Sequence, residues 1–138
     1  LVSVIRGLGQ PVLGICLGMQ LLFSASDEGD ATCLNLIGTS EKVRRLEAAP
    51  NVTVPHMGWN RVEPIGADTP LLRGIRPGSY FYFVHSYVAP GGAWVRATSH
   101  HGVVFPAVVE KDNFFGCQFH PERSARAGAQ LLRNFVAL

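Results

Sequence analysis

The sequence predicts an α/β domain with a mostly parallel central sheet flanked by helices and with an antiparallel strand extension. Two observations lead to this prediction. Near the start of the chain, a short apolar strand pattern passes directly into a helical pattern. Later, a run of closely spaced strand patterns ends in one amphipathic helix. A chain of 138 residues is long enough for one domain with its own core, so residues 1–138 are interpreted as a single domain.

The elements can be assigned in chain order from periodicity and turn residues. Residues 2–8 are typical of a helix end, residues 11–15 of a buried strand and residues 17–24 of a helix. Short strands are predicted at 36–37, 42–46 and 60–63, and a helical turn at 71–74. Aromatic and β-branched residues predict a long strand at 79–88, followed by strands at 94–99, 103–110 and 114–119. Residues 124–136 form the closing amphipathic helix.

Composition and charge argue against several classes of function. Hydrophobic residues make up 47% and charged residues 16%, which is typical of a globular protein. The net charge of +2 is too small and too dispersed to indicate a nucleic-acid or membrane surface. No apolar run approaches the roughly 20 residues that span a bilayer, and no secretory signal is present. Three cysteines without regular spacing indicate neither disulfides nor a metal site, so we expect no metal, no cofactor and a reducing, cytoplasmic setting.

The first motif that carries chemistry is GICLGMQ, residues 14–20. It places Cys16 where a strand turns into a helix, as in the nucleophile elbow of Gly-x-Ser-x-Gly hydrolases. Gly14 and Gly18 leave room for the crowded backbone, and the helix N-terminus is expected to lower the pKa of the thiol. The backbone N–H of Leu17 points toward a developing oxyanion. From these residues alone, a buried structural cysteine between two packing glycines is the alternative.

The second motif is QFHPE, residues 118–122. His120 lies at the end of a strand, where a rigid element can direct its imidazole. A neutral imidazole there could take the proton of Cys16 and return it to a leaving amine. Glu122 could hold the required tautomer of the ring. An exposed turn that carries an acidic residue is the alternative for this motif alone, whereas the two motifs together indicate a Cys16–His120–Glu122 triad.

Together, Gly-x-Cys-x-Gly-x-Gln and His-Pro-Glu resemble the signature of class I glutamine amidotransferases. The resemblance implies that Cys16 attacks the side-chain amide of glutamine and forms a thioester. Ammonia then leaves, and water releases glutamate. It also implies that Gln20 acts as a donor and acceptor near the substrate.

The third motif is VPHMGWN, residues 54–60. From the residues alone, it is a loop held down by its tryptophan. The string resembles the glutaminase subunits of imidazole glycerol phosphate synthase, which supply ammonia for the formation of imidazole glycerol phosphate and AICAR in histidine biosynthesis. This resemblance implies a heterodimer with a cyclase subunit. The residues that it assigns to the partner interface are Met57, Trp59, Tyr82 and Arg123.

The fourth motif is the aromatic segment YFYFVHSY, residues 80–87. A core strand explains Phe81 and Phe83. In similar glutaminases the Val-His-Ser segment borders the glutamine pocket, which implies that backbone groups of His85 and Ser86 bind the substrate.

Two alternatives to an active glutaminase remain at this stage. One is a non-catalytic module that only docks on its partner, and the other is a different thiol hydrolase with the same fold. The resemblance also implies a glycine-rich loop upstream of Leu1 that supplies a second oxyanion N–H. We therefore expect residues 1–138 to be incomplete at the N-terminus and, expressed alone, poorly soluble and almost inactive.

Overall fold

A computed structural model describes residues 1–138, which form three helices and ten strands. In chain order they are α1 (Val2–Arg6), β1 (Val12–Ile15), α2 (Leu17–Gln20), β2 (Ala25–Ser26), β3 (Ala31–Thr32), β4 (Arg44–Arg45), β5 (His56–Pro64), β6 (Ser79–His85), β7 (Tyr87–Val88), β8 (Val95–His100), β9 (Val104–Lys111), β10 (Phe114–Cys117) and α3 (Ala125–Val136). Short 3₁₀ helices occupy Glu28–Asp30, Pro70–Leu72 and Pro121–Arg123.

Six strands form the central sheet in the order β1-β10-β9-β8-β5-β6. Strands β1 and β10 pair in parallel, and the other four pairings are antiparallel. The expected α/β class is observed. Within residues 1–138 the expected parallel part of the sheet is the β1–β10 pair, and the expected antiparallel extension supplies the other pairings. Two further pairs, β2–β3 and β4–β7, lie outside this sheet.

Several predicted elements differ from those observed. The strand predicted at 60–63 begins earlier, at His56, so most of the loop predicted at 54–60 is strand. The strand predicted at 36–37 is wrong, because the backbone N–H groups of Leu36 and Ile37 both donate to the carbonyl of Leu22, two residues after α2. The helix predicted at 17–24 ends at Gln20. The long strand predicted at 79–88 breaks at Ser86, whose carbonyl accepts from the N–H of Leu46, so that β7 pairs with β4 instead of continuing β6.

Hydrophobic side chains cover both faces of β10. Phe115 and Cys117 belong to a core cluster that includes Leu131 of α3, whereas Phe114 belongs to a second cluster with Met19 and Phe23. Burying one such large side chain contributes roughly 1.5–3 kcal/mol. The strand that leads to His120 is therefore held from both sides. No helix in the structure has both the length and the apolar character needed to cross a membrane.

Candidate active site

Cys16 occupies a strained bend between β1 and α2. Its backbone angles are φ 54° and ψ −107°, in the positive-φ region that few residues other than glycine adopt. The N–H of Cys16 donates to the carbonyl of Cys117 at 2.8 Å, which anchors the bend to β10. A side chain at Gly14 would place its Cβ 2.4 Å from the carbonyl oxygen of Gly18. The expected need for space is therefore confirmed at Gly14, whereas a Cβ at Gly18 would meet nothing within 4 Å.

This asymmetry predicts different outcomes for two neighbouring substitutions. Gly14→Ala must push α2 away from β1, because the clash is with backbone, and we expect a loss of about 1–3 kcal/mol in the free energy of unfolding. Gly18→Ala should leave stability unchanged or raise it slightly, since alanine favours a helix. Urea denaturation of both variants measures the difference. Equal stability of the two would contradict the close approach at Gly14.

Two groups contact the sulfur of Cys16. The thiol donates to the carbonyl of Val84 at 3.7 Å, and Nε2 of Gln118 donates to Sγ at 3.7 Å. Burial raises the pKa of the Cys16 thiol, although the N–H of Leu17 and the amide of Gln118 act in the opposite direction. The expectation that the helix N-terminus lowers this pKa is therefore wrong for the net effect. Helix α2 has only four residues, so its dipole is weak and burial dominates. The resting Cys16 is a thiol that needs a base.

The other two cysteines are poorer nucleophiles. Cys33 is buried and Cys117 is fully buried. Burial raises the pKa of Cys33 and raises that of Cys117 well above its ordinary value. Cys16, by contrast, is partly exposed. It is therefore the cysteine that a substrate can reach.

His120 lies in the turn between β10 and the 3₁₀ helix Pro121–Arg123. Its Nδ1 lies 2.6 Å from Oε1 of Glu122. A neutral ring donates from Nδ1–H to this carboxylate, which leaves the lone pair of Nε2 free to act as a base. The charge of Glu122 also raises the pKa of Cys16, so the carboxylate and the thiol share one electrostatic environment. In the structure, the thiol of Cys16 donates to Val84 and not to His120.

The turn that carries His120 is attached to β6 by two hydrogen bonds, and a third closes the turn itself. The N–H of His120 donates to the carbonyl of Tyr82 at 2.9 Å, and the N–H of Tyr82 donates to Oγ of Ser124 at 2.9 Å. The hydroxyl of Ser124 in turn donates to the carbonyl of His120 at 2.6 Å. Ser124 is fully buried, so these bonds are shielded from water. They hold the turn of His120 against β6, which ends at the Val-His-Ser segment that is predicted to border the glutamine pocket.

The predicted substrate-binding side chains do not all face open space. Gln20 is 4% exposed, and both of its Nε2 hydrogens are used, on the carbonyl of Tyr87 at 3.0 Å and on Oε1 of Gln118 at 3.1 Å. The NH₂ group of Gln20 is therefore engaged within the protein, where it supports Gln118, and binding of substrate by Gln20 stays a prediction. The imidazole of His85 is also buried. Its backbone and that of Ser86 remain the predicted pocket groups, although the Ser86 carbonyl already accepts from Leu46.

A cluster of buried histidines supports the end of β6. Nδ1 of His85 lies 2.9 Å from the carbonyl of Tyr87 and must donate, so Nε2 of His85 accepts from Nδ1 of His56 at 2.9 Å. Nε2 of His56 then accepts from Nδ2 of Asn60 at 3.1 Å. The ring of His101 stacks on His56 with centroids 4.2 Å apart. Burial lowers the pKa of His56 from 6.5 to about 3 and that of His85 to about 4, so both rings are neutral near pH 7.

These shifts predict that the protein loses stability in acid. The unfolded chain takes up protons at both histidines as the pH falls below about 6.5, whereas the folded chain resists protonation until about pH 3–4. Stability should therefore be full above pH 6.5 and decline across this window. His56→Asn, which can keep the donor to His85 without titrating, should flatten the decline. Thermal unfolding from pH 4 to 8 tests this, with the exposed His100→Asn as the control; identical pH profiles for both variants would contradict it.

The predicted partner-facing residues lie together on the outer face of β5 and β6. Met57 and Trp59 are 62% and 53% exposed. The ring of Trp59 contacts Tyr82 edge-on with centroids 6.0 Å apart. The guanidinium of Arg123 lies over the ring of Tyr82 at 4.4 Å. This aromatic face, defined by these four residues, is contiguous with His120 through the hydrogen bonds of Tyr82.

Sequence reasoning missed three supporting residues of the site: Gln118, Ser124 and His56. Gln118 alternates with the apolar Cys117 and Phe119, which suggests a solvent-facing position, yet its side chain is fully buried. One signal could have revealed this. Gly116 lies on the same face, and a Cβ there would meet Cγ of Met19 at 2.5 Å, so α2 covers that face. A polar residue beneath α2, here Gln118, can then contact the sulfur of Cys16.

Comparison with known proteins places this geometry in context. All 138 residues match the family described as glutamine amidotransferase class-I. The imidazole glycerol phosphate synthase subunit HisH of Salmonella typhimurium is 51% identical over 139 residues, covering 100% of this chain and 69% of the relative. The HisH subunit of Xylella fastidiosa (strain Temecula1) is 49% identical over 138 residues, covering 100% of this chain and 68% of the relative.

Solved structures show the same fold at lower sequence identity. A glutamine amidotransferase from Thermotoga maritima aligns with a TM-score of 0.62 and 21% identity, covering 99% of this chain and 51% of that one. The glutaminase domain of a Trypanosoma brucei CTPS with bound acivicin aligns with a TM-score of 0.64 and 17% identity, covering 99% of this chain and 64% of that one. At these identities the likeness shows the fold alone. The chain thus spans about half to two thirds of these two structures.

Proposed function

The chain belongs to the class I glutamine amidotransferase family, as a relative of the glutaminase subunits of imidazole glycerol phosphate synthase, and from this we propose that Cys16, His120 and Glu122 hydrolyse glutamine. The observation that carries the assignment is the combination of a strained, partly exposed Cys16 with the 2.6 Å bond between His120 and Glu122. A buried structural cysteine has no need of either feature.

The proposed reaction begins with the neutral thiol. Nε2 of His120 accepts the proton of Cys16, and the sulfur attacks the amide carbon of glutamine. The N–H of Leu17, the first residue of α2, has no partner within the helix and donates to the oxyanion. His120 then gives its proton to the leaving nitrogen, so ammonia departs and a thioester remains. Water, deprotonated by His120, releases glutamate and regenerates the thiol.

We further propose that the ammonia passes to a cyclase subunit that binds the aromatic face, in a cytoplasmic heterodimer that serves histidine biosynthesis. Four observations support this site for the partner: large exposed side chains, a central tryptophan, a neighbouring arginine and direct attachment to the turn of His120. Tryptophan, tyrosine and arginine are enriched among residues that dominate binding energy at interfaces.

The function is tested with the full-length protein mixed with a cyclase subunit. We expect formation of glutamate from glutamine and, when the cyclase substrate is present, formation of imidazole glycerol phosphate. Added ammonium salt should replace glutamine as the nitrogen source. Failure to form glutamate, while the ammonia-dependent cyclase reaction proceeds, would exclude the glutaminase and leave only a docking role.

Docking on the aromatic face predicts the effect of one substitution. Trp59→Ala should weaken cyclase binding by about 2 kcal/mol or more, because a central aromatic anchor is lost. Its thermal midpoint should stay close to that of the parent, since Trp59 is half exposed. Titration calorimetry measures the affinity, with Val103→Ala, another exposed apolar residue in the β8–β9 turn, as the control. Equal affinities of both variants would place the partner elsewhere.

A further inference from the structure

A buried amide lies directly beneath the sulfur of Cys16. Nε2 of Gln118 is 3.7 Å from Sγ, within hydrogen-bond range for sulfur, and the Gln118 side chain is fully buried. The backbone N–H of Gln118 donates to the carbonyl of Ala107 at 2.9 Å, which anchors the residue to β9. A buried amide in a fixed position exerts its full electrostatic effect, because water does not screen it.

The orientation of this amide follows from its neighbours. The carbonyl of Tyr87 carries no proton, so the group of Gln20 that faces it at 3.0 Å is the NH₂ group. The second hydrogen of that group faces Gln118 at 3.1 Å, so the atom of Gln118 found there is the acceptor Oε1. The opposite atom of Gln118 is then the donor Nε2, directed at sulfur. A flipped Gln118 would set two donors against each other.

We propose that Gln118, oriented by Gln20, is a hydrogen-bond donor that stabilises the thiolate of Cys16 during the reaction. The proposal rests on the proposed role of Cys16 as nucleophile. In the resting state the thiol hydrogen points to the carbonyl of Val84, which accepts but cannot stabilise a negative sulfur. When His120 removes that proton, the contact with Val84 becomes unfavourable. The N–H of Gln118 and that of Leu17 then hold the charge until the sulfur attacks.

The role is consistent with the electrostatics of the pocket. Burial and the charge of Glu122 both raise the pKa of the thiol, whereas the Gln118 hydrogen bond lowers it. Without the Gln118 donor, burial and Glu122 still act on the thiol, so its pKa should rise further. A purely structural amide would affect folding but not the ionisation of the sulfur.

The test measures the ionisation of Cys16 directly in the full-length protein. The rate of Cys16 alkylation by iodoacetamide is followed from about pH 7 to 11.5, because the pKa of the thiol is already raised in the parent. The modified residue is identified by fragmentation mass spectrometry. Gln118→Met keeps a similar shape without the donor, and we expect it to raise the midpoint of the profile by about one pH unit. Gln118→Glu should raise it further, because an ionised carboxylate repels the thiolate. Gln20→Met, which frees the orientation of Gln118, should give a smaller rise.

The outcomes separate this inference from the proposed function. In the Gln118→Met variant, kcat should fall about tenfold or more at pH 7, while KM changes little. An unchanged alkylation midpoint in folded Gln118→Met and Gln118→Glu variants would overturn the inference, even if their thermal stability fell. If Cys16→Ala retained glutaminase activity, the proposed function would fail instead, whatever the alkylation profiles show.

Discussion

Cys16→Ala is expected to abolish glutamine hydrolysis by the full-length protein, with a loss of several powers of ten in kcat. The thioester cannot form without the sulfur, and no other cysteine can substitute, because Cys33 and Cys117 are buried. Ammonia-dependent synthesis by the proposed cyclase partner should be unaffected, because that chemistry does not use Cys16. The measurement is glutamate release by the complex at saturating glutamine.

Cys33→Ala is the matched control for this experiment. It also removes a thiol, but one that is buried and donates to the carbonyl of Ala31 and not to a residue of the proposed triad. Its glutaminase rate should therefore equal that of the parent. Near-normal activity of Cys16→Ala would contradict the assignment of the nucleophile. Loss of activity in both variants would indicate general damage to the fold, which circular dichroism would reveal.

His120→Ala is expected to cost about as much as Cys16→Ala, because a thiol whose pKa is raised remains protonated without a base. Combining the two substitutions should add almost nothing, since residues that act as one unit are not additive. Glu122→Gln should cost less than either, because the carboxylate acts by orienting the ring and is about half exposed. These losses are compared as kcat/KM values of the complex.

The outcome for His120 has a clear alternative. If His120→Ala and Cys16→Ala each reduced the rate moderately and their effects multiplied in the double variant, the two residues would act independently. The 2.6 Å contact between His120 and Glu122 would then be only a hydrogen bond within a surface turn.

Sequence reasoning recovered the elements whose signals are local. A short apolar strand pattern, the glycines at 14 and 18 and the helical pattern that follows predict the bend at Cys16. The closing helix is predicted by its apolar stripe. The break at Ser86 could not be predicted, because the alternation of apolar residues continues through Tyr87 and Val88. What ends β6 is a distant hydrogen bond from Leu46. The strand predicted at 36–37 does not form for a similar reason, because the N–H groups of Leu36 and Ile37 both donate to the carbonyl of Leu22.

The residues of the proposed site also separate into those that local signals reveal and those that only the folded chain reveals. Cys16, His120 and Glu122 are recognisable because their residue types carry reactivity at element ends. Gln118 and His56 act through neighbours that only the folded chain brings together, and each lies on an element where its type has an ordinary explanation. The pKa of Cys16 was also mispredicted from sequence, because the depth of burial depends on β6 and β10 packing around the bend.

The aromatic face and the proposed active site are connected through β6. Tyr82 contacts Trp59 and Arg123 on the outer side, and its backbone binds the turn of His120. Two residues further along, Val84 accepts the thiol hydrogen of Cys16. A shift of β6 on docking would therefore reach both the base and the nucleophile.

The central claim is that Cys16 forms a covalent thioester with glutamine, and rapid acid quenching tests it most directly. The full-length protein, mixed with the proposed cyclase partner, is given labelled glutamine, quenched within the first turnovers and digested for mass spectrometry. We predict a glutamyl adduct on Cys16 that decays as labelled glutamate appears and that is absent from Cys16→Ala. Release of glutamate with no adduct on Cys16, or with the adduct on another residue, would contradict the account.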